Sequence, residues 1–121
     1  MTSKELNLKL IEAFPEIKNV YLEETAWQEG DKTGSHVVYE DVFVPFIKMQ
    51  INNKNKTLLA EIFEYIEKLL ELDDKYTNEV ISLSVIESLL FDEEVDNLFF
   101  IQFAKQNTLK TVNEIIQSLK E

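Results

Sequence analysis

Between Thr57 and Leu70 the apolar residues Leu59, Ile62, Phe63, Ile66 and Leu70 fall on one side of a 3.6-residue wheel, with Glu61, Glu64, Lys68 and Glu71 opposite. That spacing predicts an amphipathic helix, and Glu64 with Lys68 adds a favourable i,i+4 pair. The next segment, Tyr76 to Leu90, is apolar on two sides. Ile81, Val85 and Leu89 line one, and Val80, Leu83, Ile86 and Leu90 line the other. A helix of this kind is buried between neighbours, and Ser82, Ser84 and Ser88 are small enough to let those neighbours approach. The pattern therefore places this segment, Leu83 included, at the centre of the fold.

Asp92 is expected to open a shorter helix through Phe103, with acids in its first turn. Thr108 is expected to cap a last helix striped by Leu109, Val112, Ile115, Ile116 and Leu119. At the front, Thr2 and Glu5 have capping-box spacing, and Pro15 suits the first position of a second helix ending near Gly30. DKTGSH, residues 31–36, has the chemistry of a loop. The following VVYEDVFVPFIKMQI reads either as a helix from about Glu40 to Asn52 or as a β-branched run forming a short hairpin around residues 37–44. Pro45 is tolerable near a helix start and unwelcome in a central strand, which favours the helix.

Only two glycines and two prolines occur, all before residue 46, so little in the second half would break a helix. The expected fold is all-α: a single domain, residues 1–121, of five or six antiparallel helices in a bundle, with solenoid-like stacking as a variant and an α+β fold as the alternative if 37–44 is a hairpin. A chain of 121 residues buries roughly two-thirds of its unfolded surface and needs no staple.

Charge changes the picture more than composition does. The chain has 23 acidic and 12 basic residues and no cysteine, and twelve of the carboxylates lie between Glu61 and Asp96, with only Lys68 and Lys75 against them. A net charge of -11 is repelled by phosphodiester backbones and anionic headgroups, so neither direct nucleic-acid binding nor membrane binding is expected. Absent cysteine and an N-terminus without a signal-like apolar run suit the cytoplasm.

Candidate chemistry is sparse. His36 is the only histidine, in a polar loop by the reading above, and without cysteine a zinc site would rest on carboxylates alone; a solvent-facing or locally hydrogen-bonded side chain is the simpler reading. There is no glycine-rich phosphate cradle, no GxSxG and no HExxH, and DEEVD lacks the glycine and alternating ligands of a calcium loop. No catalytic residue, metal or cofactor is expected, and the chain does not read as an enzyme.

Helix ends account for some of the acids. Asp73 or Asp74 would cap the buried helix, and Asp92, Glu93 and Glu94 would complement the dipole of the next, at about 0.3–1 kcal/mol each. The remaining excess reads either as an ordinary solvated face or as a binding surface for a positively charged partner, with Asp73, Asp74, Asp92, Glu93, Glu94 and Asp96 as the candidate residues of the latter. Phe99, Phe100 and Phe103, with Phe91 just before them, are core candidates. Four aromatics so close together leave, as the alternative, one side of the helix from Asp92 exposed as an aromatic anchor beside the acids.

In AFPEIKNVYLEE, SHVVYEDVFVPFI and NEVISLSVIESLLFDEE, the chain resembles small, acidic, all-helical bacterial immunity proteins encoded beside polymorphic toxins, including those of contact-dependent growth inhibition. The resemblance implies a protein that binds and neutralises a cognate toxin domain, basic and with ribonuclease or deoxyribonuclease activity, by occluding its active site. It transfers no functional residues. An acidic helical protein–protein adaptor without a toxin partner is the alternative.

Overall fold

Two helices of the chain are wound in part with i to i+5 hydrogen bonds, and the core forms where those segments meet. The computed structural model describes residues 1–120; Glu121, the last residue of the expected domain, lies outside the described residues. Among them the chain is all-α, with seven helices and no strand. These are α1 (Ser3–Ala13), α2 (Lys18–Ala26), α3 (residues 35–52), α4 (Lys56–Glu71), α5 (residues 75–90), α6 (Asn97–Ile101) and α7 (Gln106–Leu119).

The Thr2–Glu5 capping box opens α1 as its spacing requires, with each side chain accepting the other's backbone N–H. Pro15 begins a 3-10 turn, Pro15–Ile17, that leads into α2. That helix stops at Ala26, short of Gly30, whose φ of 58° begins a second 3-10 turn, Gly30–Lys32. A buried network holds this connection to α1. Asn7 Nδ2 donates to the carbonyls of Asp31 (3.1 Å) and Thr33 (2.7 Å), and Ser35 Oγ donates to Asn7 Oδ1 (2.8 Å).

The segment left between helix and hairpin is helix throughout and starts at Ser35, not near Glu40. Val38, Tyr39, Val42, Phe43, Phe46, Ile47 and Ile51 bury one side at helical spacing, which a hairpin over 37–44 would split between two faces. Its Tyr39–Phe43 stretch is π-helical, with the Val44 N–H donating to the Tyr39 carbonyl. In a regular helix the Pro45 ring would collide with the carbonyl four residues back. The wider turn just before it carries the helix through.

The second π stretch, Val80–Ile86, lies in α5 and packs against the first. The wider turn there brings Val80, Ile81, Val85 and Ile86 together on the inner side, and all four are buried. Leu83 turns outward and is 55% exposed, which corrects its central placement. The regular wheel paired it with Ile86, and the change of pitch separates them. The segment as a whole is still the central element, packed against α3, α4 and α7.

On α4, Leu59, Ile62, Phe63, Ile66 and Leu69 are buried, each contributing about 1.5–3 kcal/mol. Phe63 stacks on Phe100 of α6 with ring centroids 5.9 Å apart. That shorter helix begins at Asn97, not Asp92, and ends at Ile101, so Asp92, Glu93 and Glu94 lie in the turn before it rather than in its first turn. The cap of α7 also differs from expectation. Thr108 sits inside the helix, fully buried, and the capping group comes from α4: both oxygens of Glu67 accept hydrogen bonds from Asn107 and Thr108.

Candidate protein-interaction surface

The six acidic candidates form two groups, at opposite ends of α5. Its 16 residues (75–90) span roughly 24 Å at 1.5 Å per residue. At its start, Asp74 is the N-cap, accepting from the Thr77 N–H (3.0 Å) and hydroxyl (2.7 Å), and pairs with the Met1 ammonium at 2.8 Å. The ammonium, then the two Thr77 bonds, hold its carboxyl down at about 2. Asp73 beside it is exposed, with φ at 52°.

At the far end, Asp92 pairs with Lys48 at 2.5 Å and accepts the Glu94 N–H at 2.9 Å, and these contacts, the lysine first, lower its pKa. Asp96 caps α6 by accepting the Phe99 N–H at 3.1 Å. Asp74, Asp92 and Asp96 are thus occupied in holding the fold. Glu93 and Glu94 are exposed and form no ion pair among the described residues.

Four residues that no charge count singles out connect these ends. Glu79, Leu83, Glu87 and Phe91 recur every fourth position along α5 and its C-cap, so acid and apolar side chains alternate along its outer side. Phe91, expected in the core with Phe99, Phe100 and Phe103, is instead 51% exposed beside the acids, because it ends α5 as its C-cap. Across from this row stands α7, whose stripe is mostly uncovered: Val112 is buried and Ile115 half-buried, while Leu109, Ile116 and Leu119 are exposed.

The two helices bound a groove. Its apolar end, about 220 Å³, is lined by Leu83, Glu87, Phe91, Ile115 and Leu119. Its polar end, about 240 Å³, is lined by Asp73, Asn78, Asn107, Lys110 and Glu114. A recess of about 480 Å³ at Lys75, Asn78, Glu79 and Leu83 adjoins both, and Ser82 borders all three. Small side chains at Ser82 and Thr111 leave the helices unsealed against each other. The Oδ1 of Asn78 is buried without a hydrogen-bond partner.

His36 is not in a loop. It lies in the first turn of α3, its Nδ1 hydrogen-bonded to Ser84 Oγ at 2.7 Å and its ring edge-on to Tyr76, so it ties α3 to α5. Among the described residues no group of three or more His, Cys, Asp or Glu side chains is placed to hold a metal ion, and no helix is long and apolar enough to cross a membrane.

One family profile, described as a domain of unknown function (DUF7674), matches residues 7–119. The chain belongs to that family. No curated protein and no solved structure matches it. The matched span of the DUF7674 domain runs from Asn7, in the buried network under α1, to Leu119 at the groove's apolar end, and so takes in both helices that form it.

Proposed function

We propose that this domain is an immunity-type protein that binds a basic partner, a toxin domain of nuclease type, and neutralises it by covering its active site without chemistry of its own. The observation that carries the reading is the row Glu79, Leu83, Glu87, Phe91, where exposed apolar side chains alternate with carboxylates beside an open groove. Apolar anchors ringed by charge are the anatomy of a protein-binding hot spot. A nuclease cleft is basic because it holds phosphates, and an acidic helical surface matches it in sign. Opposite charge also speeds capture, which matters when few toxin molecules suffice to kill. The resemblance to immunity proteins supports the same reading, and the cytoplasm is where such a partner would be met.

Trp27 favours a second reading, an adaptor with two binding surfaces. It is 76% exposed at the end of α2, which packs on the first part of α3. Co-expression with the product of the neighbouring gene, read as growth, tests the proposal. Restored growth and a co-purifying 1:1 complex support neutralisation, whereas a neighbouring product that harms no cell leaves the adaptor ahead.

A further inference from the structure

The groove between α5 and α7 has a definite shape and charge, and both bear on what could fill it. From Glu79 to Phe91 the row takes in 13 residues, about 18 Å or three helical turns from end to end. Its walls are helices, and no strand edge is available among the described residues for an extended peptide to join. The charged groups lining the groove are Asp73, Glu79, Glu87 and Glu114 against Lys75 and Lys110, with exposed Glu93 and Glu94 just beyond Phe91.

We infer that this groove seats one basic amphipathic helix of about three turns from the partner protein. The inference rests on the protein-binding reading above. The incoming helix lays apolar side chains against Leu83, Phe91, Ile115 and Leu119, and its lysines or arginines reach Glu79, Glu87 and Glu114. At the polar end the unpartnered Asn78 Oδ1 is an acceptor for a donor from the same helix, since the terminal torsion of asparagine is soft. An acidic or purely apolar helix fits poorly. The first meets like charge along the row, and the second leaves the carboxylates desolvated without partners.

An 18-residue synthetic helix with leucine and lysine at i,i+4 spacing tests this, with a glutamate-for-lysine counterpart as control. Titrated into the 15N-labelled protein, the basic peptide should bind 1:1, shift amides of residues 78–91 and 106–119, and lose about 10–30-fold in affinity in Phe91→Ser or Leu83→Ser. Both positions are half exposed, so these variants should fold, which thermal melts check. Shifts spread over α2 and α4, unchanged affinity in both folded variants, or equal binding of the acidic control would overturn the assignment. Failure here is separable from failure of the immunity reading. A toxic neighbouring product that is neutralised in both serine variants would keep immunity and reject the groove, and specific peptide binding beside a harmless neighbour would do the reverse.

Discussion

Glu67 on α4 and Thr108 on α7 are joined by two hydrogen bonds to one carboxylate oxygen, from the Thr108 N–H at 3.0 Å and from its hydroxyl at 3.1 Å. The other oxygen takes the Asn107 N–H and side-chain amide, each at 2.8 Å. One nearly buried carboxylate therefore satisfies two of the orphan N–H groups at the start of a helix that buries only Thr108 and Val112 of its own. The pose of α7, and with it one wall of the groove, depends on this contact.

Glu67→Ala should cost about 2–4 kcal/mol, because it leaves buried donors unpaired as well as removing a cap. Glu67→Gln keeps one acceptor oxygen and should cost less. Urea melts of the two variants give the ranking, and equal, small losses would show that α7 is held by something else.

Acid should loosen the same contact. Burial of Glu67 opposes its ionisation, but the bonds from Asn107 and Thr108 outweigh burial and set its pKa below the ordinary value. A depressed carboxylate contributes stability that is complete above its unfolded pKa, about 4.3 for glutamate, and is lost as pH falls through the folded value. Asp74, held at about 2, extends the loss from about pH 4 downward. Wild-type stability should therefore fall more steeply below about pH 4.5 than that of Glu67→Gln. Parallel curves would remove Glu67 from the acid response.

The outward turn of Leu83 reverses an expectation drawn from sequence. Leu83→Ala should stay within about 1 kcal/mol of wild type, while Ile81→Ala, at a fully buried position, should cost about 2–5 kcal/mol. Denaturant midpoints at unchanged m-values decide it. A large loss at position 83 would put that side chain in the core.

Charge reversal should also divide the acids by their work. Lysine at Asp92 and Asp96 breaks the Lys48 pair and the α6 cap, and should lower the melting temperature. Lysine at Glu79, Glu87, Glu93 and Glu94 touches no cap or ion pair among the described residues and should leave it nearly unchanged. Equal melting temperatures for the two sets would mean that the caps contribute little.

Much of this fold is legible in the chain. The α4 stripe, the Thr2–Glu5 box and the Asp74 cap follow from spacing and side-chain chemistry alone, because each is a local interaction. What escaped is either a change of helical pitch or a partner far away in sequence. A wheel of 3.6 residues cannot foresee the π stretches that turn Leu83 out and carry the helix past Pro45. Nor can it show that Glu67 caps a helix 40 residues on, or that His36 reaches Ser84. At the surface, a count of charge points to six acids, of which the fold consumes Asp74, Asp92 and Asp96 and leaves Asp73, Glu93 and Glu94 exposed. The signal that was available is the four-residue alternation of acid and apolar at positions 79, 83, 87 and 91.

The most direct measurement is the rate at which the domain associates with the neighbouring gene's product, followed by stopped flow across salt concentrations for wild type and for Glu79→Lys with Glu87→Lys. Wild-type association should be fast at low salt and fall steeply as screening shortens to about 8–10 Å, while the folded double variant should be slow throughout and nearly independent of salt. A double variant that associates as fast as wild type, with the same dependence on salt, would contradict capture through the acidic row of α5.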